Sequence, residues 1–185
     1  GNHFLAAIRR NIDITLLVHN NQVYGLTKGQ ASPTSDEGFT TKAQPSGVAL
    51  APFNPLAVAI AMHAGFVGRG YVGLGDDLVE LLVQAIDHRG FSLVDILQPC
   101  VSFNRVNTYQ WYKDRCKPLP SSYDPTDWEA AIRLSQQWGD EIPVGVIYRN
   151  SRPPFEDHIA PLKKGPLVGQ TVDRARLAKV METYG

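Results

Sequence analysis

The 185 residues are 43% hydrophobic and carry 18 Lys and Arg against 18 Asp and Glu. That is enough for one substantial core, with no positive excess to bind nucleic acid or hold an anionic membrane. The longest apolar stretches, such as Ile12 to Val18 and Leu56 to Met62, are far below the ~18 to 20 residues of a membrane-spanning helix. Two cysteines cannot form a disulfide framework, and with no signal-peptide pattern they agree with a reducing cytosol. The first residue is Gly1 rather than Met, so the chain is expected to begin downstream of the natural N-terminus.

In chain order, Phe4, Leu5 and Ile8 at helical spacing predict a short helix over Asn2 to Asn11. It runs into Ile12 to Val18, a nearly continuous β-favouring run that suits a strand covered on both faces, as in a parallel sheet. From Gly25 to about Pro52 the chain is rich in Gly, Ser, Thr and Pro and has no period. An irregular stretch of that length inside a domain is usually functional or mobile. Order returns with Asn54 as N-cap and Pro55 at the first helical position, ahead of Leu56 to Ala64. Next come a strand near Phe66 to Val72, a helix from about Asp76 to His88 closed by Gly90, and a strand over Phe91 to Leu97. A helix over about Asp127 to Trp138 and a strand over Ile142 to Tyr148 complete the periodic elements. This alternation predicts an α/β fold, an open and mostly parallel sheet with helices on both faces. The expected division is a main domain over residues 1–150 and a C-terminal extension over 151–185, wrapping a partner or the domain itself.

In such a sheet ligands collect beyond the carboxyl ends of the strands, which is where residues His19 to Tyr24 fall. Taken alone, the Asn20–Asn21 pair is ordinarily a turn, because Asn tolerates left-handed backbone. Cys100, just past an apolar strand, is by itself an ordinary buried thiol. The run GRGYVGLGDD at Gly68 to Asp77 lacks the dinucleotide-fingerprint spacing and is better accounted for as a strand-to-helix turn. Trp111, Trp128 and Trp138 are assigned to packing, and His63 and His88 are placed in helices without a catalytic role. His3 is open between a helix-start hydrogen bond and an approach to a cofactor.

The run NNQVYGLTKGQASPTS at Asn20 to Ser35, preceded by GNHFLAAIRRNIDITLL at Gly1 to Leu17 and followed by QPCVSFN at Gln98 and PPFEDHI near the end, resembles the β subunits of 2-oxoacid:ferredoxin oxidoreductases. The agreement is in the family's order and covers essentially the whole chain. The resemblance implies the thiamine-diphosphate-binding fold, truncated so that the family's Gly-Asp-Gly run lies just before Gly1. It also implies oxidative decarboxylation of a 2-oxoacid with coenzyme A as acyl acceptor and ferredoxin as electron acceptor. An α or fused α/γ subunit would complete the pocket.

By the same resemblance the Asn21 side-chain oxygen and the Val23 main-chain oxygen hold Mg²⁺, a hard cation that takes oxygen ligands. Gly25, Leu26 and Thr27 line thiamine diphosphate, continued by Gly29 and Gln30. Cys100 becomes one of four thiolate ligands of a [4Fe-4S] cluster, with the other three upstream, and Cys116 is structural. The 185 residues alone should therefore bind neither cluster nor cofactor well. No catalytic side chain is assigned, because the chemistry is the cofactor's. The loop YGLTKGQ favours 2-oxoglutarate or a broad 2-oxoacid range. Two alternatives stay open, a non-redox thiamine-dependent decarboxylase or synthase, which has no use for Cys100, and a non-catalytic assembly module of the same fold.

Overall fold

In the computed structural model, which describes residues 1–184, the chain opens with α1 (Asn2–Arg10). Arg9 and Arg10 in its last turn complement the negative end of the helix dipole, and Asn11 stops it in the left-handed conformation at φ 51°. The first strand then starts later than expected. The sequence predicts Ile12 to Val18; the observed β1 is Thr15–Asn20. Residues 12–14 are used otherwise, since Ile12 N–H bonds back to Ala7 O, and the Asp13 carboxylate accepts the Gly90 N–H at 3.0 Å.

The short strands β2 (Val23–Tyr24) and β3 (Gln30–Ala31) pair antiparallel, and no further helix or strand falls before residue 55. α2 (Pro55–Ala61) starts as predicted, with Asn54 Oδ1 accepting Ala57 N–H at 3.0 Å. There follow β4 (Phe66–Tyr71), α3 (Asp76–Asp87), β5 (Ser92–Leu97), α4 (Tyr109–Arg115) and β6 (Cys116–Pro118). The chain then forms α5 (Trp128–Ser135), β7 (Ile142–Arg149) and α6 (Arg174–Glu182). Neither α4 nor β6 is expected from the sequence.

The main sheet has the order β1-β5-β4-β7-β6, parallel except where β4 meets β7. Every residue of β4 and β5 is buried, because helices cover both faces, as their largely apolar composition requires. On one face Val67 and Leu93 join Ile8, Leu56, Ile60 and Ala131 from α1, α2 and α5. On the other, Phe66, Val94 and Ile96 meet Leu81 and Ala85 of α3. The sheet edge departs from expectation. β1 is an edge strand whose Leu17 is 37% exposed, with Ile14 beside it at 46%, so within this chain it is not covered on both faces.

The GRGYVG run finds its purpose in helix packing. A Cβ added at Gly68 would come within 2.9 Å of Leu81 Cδ1, and one at Gly70 within 2.5 Å of Leu78 Cδ1. The two glycines bring α3 directly onto the backbone of β4. Past β7 the chain returns across the start of the molecule. Asn11 Nδ2 donates to Arg152 O and Pro153 O at 2.9 and 3.1 Å, Asn11 Oδ1 accepts the buried Phe91 N–H at 2.9 Å, and Arg89 pairs with Asp157. Farther on, α6 buries none of its residues.

Among the described residues no helix is long and apolar enough to cross a membrane.

Candidate functional site

The turn after β1 is built from four consecutive residues. Gln22 adopts φ 56°, a conformation a non-glycine residue keeps only when its surroundings hold it. They do so here. Asn20 Oδ1 accepts Gln22 N–H at 3.3 Å and the Thr34 hydroxyl at 2.7 Å, and Asn21 Oδ1 accepts Val23 N–H at 3.2 Å. The Gln22 side chain, only 3% exposed, donates to Thr34 O at 2.9 Å and Asp36 Oδ1 at 3.2 Å, while the Ser35 hydroxyl donates to Gln22 O. The expected turn thus stands on the segment Thr34 to Asp36, a support the sequence reading did not anticipate. Burial raises the Asp36 carboxyl pKa above its ordinary value, and the hydrogen bond from Gln22 is the main influence opposing it.

Beyond the turn, Thr27 Oγ1 donates to Tyr24 O at 3.1 Å and Lys28 N–H to Gly25 O at 3.0 Å, giving a tight second bend with Lys28 at φ 62° and Gly29 at φ 99°. Gly25 has open space where a Cβ would stand, and Leu26 is 99% exposed. The loop therefore presents its glycine and an apolar side chain outward, with nothing among the described residues packed on them.

Cys100 lies three residues past β5, and the structure brings its loop against the same turn. Asn104, itself buried, accepts Val106 and Asn107 N–H groups with Oδ1 and donates through Nδ2 to Asn21 O at 3.3 Å and Asn107 Oδ1 at 3.0 Å. Phe103 closes over Gly29, 3.2 Å from where a Cβ would sit. Asn20 and Leu97 are register partners at the ends of the adjacent strands β1 and β5, and Gln98 N–H donates to Asn20 O at 2.9 Å. The loop that carries Cys100 thus meets the Asn21 turn, and the bend at Gly29 beyond it, at one end of the sheet. Among the described residues no three His, Cys, Asp or Glu side chains converge as a metal cage. The chemistry of the donors still divides cleanly. The turn offers amide and main-chain oxygens, which suit a hard divalent cation, and the neighbouring loop offers one partly exposed thiol, which suits iron.

The remaining candidates fall elsewhere. Cys116 is buried, and burial pushes its thiol up to about 11, as an inert structural cysteine requires. His63 does not lie in a helix as expected. It sits past the end of α2 at φ 54°, stacked on Trp128 at 5.6 Å. His88 caps α3 rather than lying within it, and His3 is exposed on α1.

Sequence reasoning also missed the buried ion pair behind the turn. Arg69 of β4 and Asp95 of β5 are register partners, 3% and 2% exposed, with Arg69 Nε 4.0 Å from Asp95 Oδ2. Burial raises the Asp95 pKa, and the Arg69 charge opposes that. A charged residue in the middle of each of two apolar strands was the available signal.

Comparison with known proteins adds independent findings. Residues 1–96 match the family model "Thiamine pyrophosphate enzyme, C-terminal TPP binding domain". Residues 100–164 match the model for the C-terminal part of the pyruvate ferredoxin oxidoreductase beta subunit. The chain is 45% identical over 170 residues to subunit beta of 2-oxoacid:ferredoxin oxidoreductase 1 from Aeropyrum pernix, covering 85% of this chain and 54% of that protein. It is 51% identical over 104 residues to the 2-oxoglutarate oxidoreductase subunit KorB of Mycobacterium tuberculosis, covering 56% of this chain and 28% of that one. Among solved structures, a chain of the 2-oxoglutarate:ferredoxin oxidoreductase from Magnetococcus marinus, with 2-oxoglutarate, coenzyme A and succinyl-CoA bound, superposes with a TM-score of 0.86. That match is 33% identical and covers 97% of this chain and 62% of the other. The chain spans about half the length of the A. pernix relative.

Proposed function

Because this chain belongs to the thiamine pyrophosphate enzymes, among the β subunits of 2-oxoacid:ferredoxin oxidoreductases, we propose that it forms part of an enzyme converting a 2-oxoacid and coenzyme A to an acyl-CoA and CO₂, the two electrons passing to ferredoxin. Asn21 Oδ1 and the Val23 carbonyl would ligate Mg²⁺. Gly25, Leu26 and Thr27 would border thiamine diphosphate, and Cys100 would be one thiolate of a [4Fe-4S] cluster. When bound, thiamine diphosphate supplies the electron sink for decarboxylation. This chain's residues contribute placement. The loop Thr34 to Asp36 holds the turn from within, Asn104 pins it from the side of Cys100, and exposed Leu26 offers an apolar surface to whatever packs there.

The observation that carries this assignment is the hydrogen bond from Asn104 to Asn21 O. It ties the oxygen-rich turn to the thiol-bearing loop at adjacent strand ends, as an enzyme that must move electrons from a decarboxylation site to a cluster requires. A non-redox decarboxylase would leave the partly exposed Cys100 in that place without a task. An α subunit is the proposed partner, with residues 151–185 as an extension of the domain 1–150 reaching towards it, and the cytoplasm the proposed site of action. Substrate preference is assigned to 2-oxoglutarate or a broad 2-oxoacid range, in keeping with what the M. marinus structure holds.

In the full-length protein with its partner, Asn21→Ala should abolish Mg²⁺-dependent retention of thiamine diphosphate, measured by titration after gel filtration. An unchanged titration would count against the assignment of the turn. Iron and sulfide content after anaerobic purification tests Cys100, whose replacement by Ser should deplete the cluster; full iron in the variant would remove Cys100 from the ligand set.

A further inference from the structure

Behind the turn lies a cavity of about 190 Å³, walled by Asn20, Gln22, Asp36, Arg69, Asp95 and Trp138, among others. Three buried atoms of its lining residues, Gln22 Oε1, Arg69 Nε and Asp95 Oδ1, have no hydrogen-bond partner among the described residues. All three residues are at least nine-tenths buried. Buried polar groups in native proteins are almost always paired, with protein or with ordered water.

The kinds of atom decide what pairs them. Arg69 Nε can only donate, while Gln22 Oε1 and Asp95 Oδ1 accept. Gln22 cannot simply be turned round, because its Nε2 already donates to Thr34 O and Asp36 Oδ1. An anion in the cavity would face the carboxylates of Asp36 and Asp95, and a cation would face the Arg69 guanidinium. Water satisfies donors and acceptors alike, and the space accommodates several molecules at about 30 Å³ each. The gap of 4.0 Å between Arg69 Nε and Asp95 Oδ2 is too long for a direct hydrogen bond, yet one water can reach both. Arg69 is meanwhile anchored by its other nitrogens, which donate to Ser135 O and Gln137 O at 3.4 and 3.3 Å.

We propose that this cavity is a resident water site whose molecules link the Arg69–Asp95 pair to Asn20 and Gln22, making Asp95 a positioning residue for the metal-binding turn. The proposal rests on the assignment of Mg²⁺ to that turn. Asp95 touches neither metal nor cofactor in this scheme. It acts through the water and through Asn20, whose amide lies near enough to favour the Asp95 carboxylate.

Two measurements on the full-length complex test this. A high-resolution crystal structure of the wild-type holoenzyme should show ordered water bonded to Arg69 Nε, Asp95 Oδ1 and Gln22 Oε1; a dry cavity, or an ion on those atoms, would overturn the water site. The near-isosteric Asp95→Asn variant should need a few-fold more Mg²⁺ for half-maximal thiamine diphosphate binding, less than the ~10-fold or more lost when a group bonded directly to a metal ligand is removed. Its KM for the 2-oxoacid at saturating metal and cofactor should be unchanged. An unaltered Mg²⁺ requirement in Asp95→Asn beside a wild type that needs Mg²⁺ would sink the positioning role alone. A wild type that binds thiamine diphosphate without any divalent cation would instead sink the metal assignment beneath it.

Discussion

Replacing Gln22 with Ala tests how the turn is built, because it removes two hydrogen bonds and leaves the backbone where it is. The first, to Thr34 O at 2.9 Å, joins neutral groups and is worth about 0.5 to 1.5 kcal/mol. The second, to Asp36 Oδ1 at 3.2 Å, reaches a carboxylate and is worth about 1.5 to 3 kcal/mol. The variant should therefore lose roughly 2 to 4.5 kcal/mol in urea denaturation of the full-length protein. Gln22→Gly loses the same bonds but relieves the residue at φ 56°, and should recover about 1 kcal/mol of that loss. Both variants should weaken thiamine diphosphate binding, Ala more than Gly. A loss below about 0.5 kcal/mol for Gln22→Ala, the size of an ordinary surface change, would refute this account of the turn. So would a Gly variant less stable than the Ala variant.

Other expectations follow from the same structure. In protein stripped of iron, iodoacetamide at pH about 7.5 should label Cys100 and spare buried Cys116, whose pKa near 11 leaves only about one thiol in several thousand ionised; equal labelling would contradict the burial described. His88 has its pKa lowered by burial, with Asp13 opposing and Arg149 reinforcing. It takes up its proton at lower pH in the folded protein than in the unfolded chain, so its contribution is intact above the ordinary histidine value of about 6.5 and is lost as pH falls below it. Urea midpoints measured from pH 8 down to pH 5 should fall less steeply for His88→Gln, and parallel curves would exclude His88 as the source.

Most of the sheet was legible because its central strands are largely apolar, each broken by a single charge, and its helices carry strong local signals. Asn54 and Pro55 fix the start of α2, and the apolar runs at Phe66 and Phe91 become β4 and β5. α4 was not legible, since it has seven residues and buries only Tyr112, too little to print a period. β6 is shorter still, at three residues. The start of β1 was misplaced because Ile12 to Ile14 look like strand, while the left-handed Asn11 turns them into a tie against α1 and Gly90. At the site, the Asn pair and Cys100 were visible as short motifs. Their supports were not. Asn104 bonds to Asn21 across 83 positions, and the Arg69–Asp95 pair exists only once β4 and β5 are laid in register.

The contacts of Asn11 carry a practical consequence. One residue fastens the first helix, the entry to β5 and the returning segment at Arg152 and Pro153, so the two halves of the primary sequence close on each other like a buckle. A fluorophore, affinity handle or fused domain introduced between residues 150 and 158 would prise that buckle open. The same addition after α6, which buries nothing, would leave it shut.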